Sequence, residues 1–131
     1  MKQTAQFGLN QWERTDRVLM DDFNNDNKKI DAALAKTCQP YIISYTGDGN
    51  PERTMEFPGK PLFVIAVGGS VIFTAIRGGK KAYSIYSAMA QGDYLTTWGD
   101  RSFTWHIGTE LAYSANNTGV AYQMFALLSM E

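Results

Sequence analysis

The chain has 131 residues, and 12 Lys and Arg set against 13 Asp and Glu leave a formal charge of −1 at pH 7, which gives no electrostatic reason to expect nucleic acid or an anionic membrane surface as partner. With 44% hydrophobic and 13% aromatic residues, there is material for a hydrophobic core, and general intrinsic disorder is excluded. The one cysteine, Cys38, can make neither an internal disulfide nor a cysteine-based zinc site by itself.

The first twelve residues, MKQTAQFGLNQW, hold no apolar run of signal-peptide length, and no window reaches the 18 or more apolar residues of a membrane span. A soluble product of the cytosol is expected, one that can leave a cell by lysis within an assembled particle. Charge is concentrated early: residues 13 to 36 hold 11 of the 25 charged side chains. That segment, TDRVLMDDFNNDNKKIDAALAK, predicts a helix over 15–37, with Thr15 or Asp16 as N-cap and Pro40 preventing continuation. Leu19, Phe23, Ile30 and Ala33 form a narrow apolar seam, which Met20 and Leu34 widen and Trp12 extends backwards by seven residues. Asp16 and Asp26 fall on the seam, so an isolated helical assembly of this length is weak, and Asn27 beside it could select a register. An amphipathic helix packed on its own domain fits the same pattern.

The boundary between a segment 1–38 and a segment 39–131 falls near Cys38-Gln39-Pro40. Beyond it the period changes to two. YIISYTG, TMEF, PLFVIAVG, SVIFTAIRG, AYSIYSAM, YLTTWG, SFTWHI and VAYQMFALL predict eight short strands separated by Gly, Pro, Asn and Asp turns. Their number and spacing indicate an antiparallel β-sandwich or jelly roll. The last strand is apolar on both faces, which places it centrally or at a subunit interface.

Catalytic signals are absent. His106 has no second histidine to make a metal pair, and no GxSxG elbow is present to use it in hydrolysis. The GGKK turn at Gly78–Lys81 lacks phosphate-loop spacing and reads as a hairpin whose lysines keep its tip soluble. A partial calcium-loop pattern at Asp22, Asn24 and Asp26 fails where Asn27 replaces Gly and Ala33 replaces the bidentate Glu. No cofactor is predicted. The carboxylates that could serve a glycosidase, Asp48, Glu52, Glu56, Asp93, Asp100 and Glu110, follow no motif, and all but Glu56 sit in or beside turns. Trp98, Trp105, Tyr94, Phe103 and Tyr113 cluster near the turns towards the carboxyl end, where rings can stack on sugars or fill a core.

Two segments resemble a family. LNQWERTDRVLMDDFNNDNKKIDAALA is similar to the amino-terminal helix of small tail-associated proteins of phages and prophages of Firmicutes, matching the pattern N-x-W-x-x-x-D-x-V-x-x-x-D-F-N-x-D-N-x-K-I-D-x-A-L from Asn10 to Leu34. The β region is similar to the tips of the same proteins, on Tyr45, Thr46, Gly47, Gly49, Phe57, the Pro61 strand, Thr97, Trp98, Trp105, Asn116, Gly119, Tyr122 and Ala126. The resemblance implies a tail fibre or receptor-binding tip protein: a homotrimer with a coiled-coil-like helical stem and a β-sandwich tip, without catalytic activity. In that scheme Trp12, Leu19, Phe23, Asn27, Ile30 and Leu34 form the trimer interface. Tyr94, Trp98, Asp100, Arg101, Asn116 and Asn117 bind a bacterial surface glycan, and other tail or baseplate proteins are partners. Three clustered sites would raise avidity. A structural cap or decoration subunit of a phage-like particle is the alternative, and a glycan depolymerase a further one.

Overall fold

The computed structural model describes residues 1–87, 90–109 and 111–130. Two compact units divide the chain, Met1–Thr37 and Cys38–Glu131.

In the first unit two short strands, β1 (Lys2–Gln3) and β2 (Asn10–Gln11), pair antiparallel ahead of one helix, α1 (Met20–Ala35). The helix begins later than its composition suggests, because Asp16 is used to turn the chain. Its carboxylate accepts the Glu13 backbone N–H at 2.8 Å and lies 3.3 Å from the amino terminus. Neither Thr15 nor Asp16 is the cap; Leu19 holds that position with no side-chain hydrogen bond. Trp12 therefore stands outside the helix and does not extend its seam. It reaches Phe23 from the returning chain, with ring centroids 5.2 Å apart.

Polar ties complete the unit. The Asn10 backbone N–H donates to Asp26 Oδ1 at 3.0 Å, its carboxamide donates to the Asp22 carbonyl, and Lys29 Nζ donates to the Gly8 carbonyl at 2.6 Å. Asp26, a polar residue on an apolar seam, thus holds the strand pair to the helix. No residue of α1 is buried; Leu19, Phe23, Ile30 and Leu34 remain between 41% and 61% exposed.

The second unit is mainly β. Its strands are β3 (Cys38–Thr46), β4 (Glu52–Glu56), β5 (Lys60–Gly68), β6 (Val71–Ile76), β7 (Lys81–Ser87), β8 (Ala90–Trp98), β9 (Ser102–His106) and β10 (Ala121–Ser129). All eight belong to one antiparallel sheet in the order β3-β10-β5-β6-β7-β8-β9-β4. Laid flat, such a sheet would be roughly 34 Å across. Its two edge strands are nevertheless joined by residues 47–51, a link that reaches at most about 20 Å. The sheet must curl, and the edges meet: Arg53 Nη1 on β4 donates to the Thr46 carbonyl on β3, and Tyr41 packs edge-on to Phe57.

The core fills the inside of the curl. Phe73, Phe103, Trp105, Met124 and Val64 are fully enclosed, with Phe73 and Trp105 centroids 5.2 Å apart. Alternation selects them: on β9, Phe103 and Trp105 point inward while Thr104 and His106 point outward. The loop before β10 is pinned from this core. Trp105 Nε1 donates to the Ser114 carbonyl at 2.7 Å, and the Tyr45 hydroxyl donates to the Ala115 carbonyl at 2.8 Å. These bonds hold Ala115 at φ +56°, a left-handed conformation uncommon for alanine.

The outer face departs from the usual polar half of a solvated antiparallel sheet. On β3, β10, β5 and β6 it carries Ile42, Phe125, Val67, Ile72 and Ile76, all exposed. Register places Phe125 directly between Ile42 and Ile65, and Val67 opposite Ile72.

Candidate functional site

Of the six residues predicted to touch a ligand, two are interior. Tyr94 is only 3% exposed and packs against Phe73, so its ring is a core element. Asn116 is fully buried and cross-links two loops. Its Oδ1 accepts the Asp48 backbone N–H and Arg53 Nη1, while Nδ2 donates to Asp48 Oδ1 at 2.7 Å and to the Asn50 carbonyl. Asp48 also accepts the Asn50 N–H and faces Arg53 at 3.1 Å; the Asn50 bond first, then Asn116, holds its carboxyl below the usual carboxylate range. Gly47 makes this crossing possible, because a Cβ there would lie 2.0 Å from the Asn117 carbonyl oxygen.

The other four are nearer the surface. Asp100 and Arg101 lie exposed at the β8–β9 turn, where Arg101 Nη1 donates to the Pro58 carbonyl. Asn117 is half-buried; its backbone N–H donates to the Tyr122 hydroxyl and its amide to the Ala112 carbonyl at 3.5 Å. Trp98 is half-buried, packed on Phe103 at 4.5 Å and covered by the Arg77 guanidinium at 5.4 Å. The structure does not gather these six into one site.

Two concavities lie elsewhere on the β unit. A groove of about 750 Å³ runs beside the β6–β7 turn and is lined by Arg77, Lys80, Thr97, Trp98 and His106. Arg77 is anchored there, donating through Nε to the Pro61 carbonyl and through Nη2 to the Gly99 carbonyl. At its margin His106 Nδ1 lies 3.1 Å from Glu52 Oε2, and Nε2 lies 3.0 Å from Thr97 Oγ1. A carboxylate, an imidazole and a hydroxyl in sequence are the parts of a nucleophile-activating relay. Here they are cross-strand neighbours, Glu52 opposite His106 and His106 opposite Leu95.

The second concavity is a hollow of about 740 Å³ over β7 and β8, lined by Tyr83, Ser84, Gln91, Gly92, Asp93 and Tyr113. Register builds it: Tyr83 stands opposite Asp93, Ser84 opposite Gly92, and Ile85 opposite Gln91. Gly92 lets the strand pass close to buried groups, since a Cβ there would lie 2.9 Å from the Tyr94 hydroxyl and 3.1 Å from Ser84 Oγ. Tyr83 is 59% exposed, and Tyr113 is braced against Tyr86 at 5.4 Å. Lys81 Nζ holds the Asp93 carboxylate at 3.0 Å, and the lysine's own pKa is raised by that hydrogen bond and charge. Ser84 Oγ is buried and has no hydrogen-bond partner among the described residues. An exposed and a half-buried tyrosine ring beside a carboxylate and an amide suit a polyhydroxylated ligand with an apolar face.

The chain was compared with known proteins, and no family model, curated protein or solved structure matches it. Among the described residues no group of three or more His, Cys, Asp or Glu could hold a metal ion, and no helix is long and apolar enough to cross a membrane.

Sequence reasoning had Asp93 only as one carboxylate among several and Tyr113 only as part of an aromatic cluster. Tyr83 and Gln91 were missed. AYSIYS does place Tyr83 and Ile85 on one face by alternation, but the register that sets Asp93 and Gln91 beside them is not written locally. Glu110 lies outside the described residues.

Proposed function

We propose that the protein is a non-enzymatic recognition module of a phage tail or phage-derived particle, a homotrimer that binds a bacterial surface glycan. It would assemble in the host cytoplasm onto other tail or baseplate proteins. In this reading the first unit is a coiled-coil-like stem, and the two halves of the curled sheet act as the layers of a sandwich or jelly-roll-like tip. The hollow over β7 and β8 carries the proposal, because Tyr83 and Tyr113 offer ring faces to a sugar while Gln91 and Asp93 offer hydrogen bonds to its hydroxyls. The exposed seam of Leu19, Phe23, Ile30 and Leu34 supports the multi-copy part. Recognition is thereby moved from Trp98, whose ring is already engaged, to tyrosines that are not in the core.

The test is binding to purified cell-wall polysaccharides of Gram-positive bacteria, with Tyr83→Ala and Asp93→Ala as variants whose side chains are exposed in the folded chain. Each should weaken binding at least about tenfold with an unchanged circular dichroism spectrum. Absence of binding to every preparation, or binding indifferent to both changes, removes the glycan reading. A structural cap or decoration subunit is the second reading, favoured by the apolar outer face of β3, β10, β5 and β6. Depolymerase activity finds less support, since the hollow is lined by a single carboxylate, Asp93, among the described residues.

A further inference from the structure

The outer face of β3, β10, β5 and β6 combines two properties. It is apolar over neighbouring strands, with exposures from 37% at Phe125 to 68% at Ile42. It is also uncharged over most of its extent: Ile42, Ser44, Gln123, Phe125, Ile65 and Thr74 carry it across the four strands, and Lys60 stands only at its end, opposite Ser129. Side chains opposite one another in such a ladder stand close enough to form one surface. With the half-buried Phe63, Ile65 and Leu127, the accessible apolar area comes to roughly 600 Å², at the top of what a monomer normally leaves open.

We propose that this face is a contact between copies of the same chain, sheet packed on sheet. Two such faces would remove roughly 1,200 Å² from water in total, the lower limit for a specific and stable interface. The scarcity of charge argues for a sister copy over a foreign protein. A surface that meets itself about a symmetry axis brings each of its charges near their own equivalents, so a face with a charge only at its end limits that repulsion. The hollow on β7 and β8 begins on the next strand, where Tyr83 stands opposite Thr74 and Ile85 opposite Ile72. This contact is two-fold and separate from the three-fold stem proposed above, so either can stand without the other, and it needs neither the glycan nor the particle.

Sedimentation equilibrium of the full chain over a concentration series tests it. One variant carries Ile72→Lys with Phe125→Lys, another Phe23→Asp with Ile30→Asp, and circular dichroism monitors the fold. The wild type should be oligomeric, and the sheet-face variant should weaken self-association at least about tenfold while retaining its strand signal. A folded wild type that remains monomeric at every concentration overturns the contact, whether another protein or the chain's own helix then covers the face. So does a sheet-face variant of unchanged mass. If only the helix variant dissociates the assembly, the stem stands and the sheet contact falls; the reverse result supports the sheet contact and removes the stem. Should the two lysines unfold the unit, Phe125→Cys in a Cys38→Ala chain decides: an intermolecular thiol cross-link on the middle strands of the face supports the contact, and its absence overturns it.

Discussion

Asn116 shows how a polar side chain in a loop becomes a keystone. It is fully enclosed and uses both ends of its carboxamide, so that residues 48, 50 and 53 all depend on it. Asn116→Ala strands several buried or half-buried partners at once, and unfolding in denaturant should show a loss of about 2–4 kcal/mol. Asp48 adds a pH dependence. Its native pKa is depressed, so its contribution is fully present above the ordinary aspartate value near pH 4 and is lost as the pH falls through the native value. Acid unfolding should therefore be shallower for Asp48→Asn than for the wild type below about pH 4, and parallel curves would show that the carboxylate contributes nothing. The Asn116 links are not visible locally, because they join residues more than sixty positions apart, whereas the Asp48–Asn50 bond spans two residues. Tyr94 and Trp98 are a different case: two-residue alternation with Phe103 and Trp105 on the next strand already marks both as inward-facing, and only their aromatic character suggested a ligand.

Among elements, α1 owes little of its formation to burial. With no buried residue, it is held by Asp26, Asp22 and Lys29 to the β1–β2 pair and by the Trp12–Phe23 stack. The residues of the N-x-W and D-F-N-x-D-N-x-K pattern are largely these, so the pattern encodes a local clasp. The helix itself was readable from its charge-rich composition, but its start was not, since Asp16 serves a turn that competes with capping. Asp26→Ala should free the Asn10 N–H and raise amide hydrogen exchange in residues 8–12 and along the first turns of α1 by at least about fivefold, while β-unit amides are unaffected. Unchanged exchange would mean the clasp is held by the Asn10–Asp22 and Lys29–Gly8 bonds and the Trp12–Phe23 stack without Asp26. The eight strands, by contrast, were legible one by one, because β-branched and aromatic residues alternate between clear turn signals.

For the whole molecule, what local pattern could not supply was strand order. Nothing in YIISYTG says that its neighbour is VAYQMFALL, some eighty residues later, or that both sheet edges share a five-residue link. The consequence of that link is the curl, and the curl decides which aromatic residues meet inside and which apolar residues are left outside. Two packed sheets are what eight evenly spaced strands lead one to expect; a single closed-up sheet satisfies the same periodicity.

Because β3 pairs only with β10, a chain emerging from the ribosome has no place for this strand until nearly all of the following residues have been made. The hairpins from β5 to β9 can zip as they appear, yet one flank of β5 stays without its partner throughout. Closure then brings together groups far apart in sequence, the situation in which loop entropy slows folding and exposes sticky edges. Newly made copies crowded on one message would therefore be most vulnerable to one another just before β10 slides into its slot.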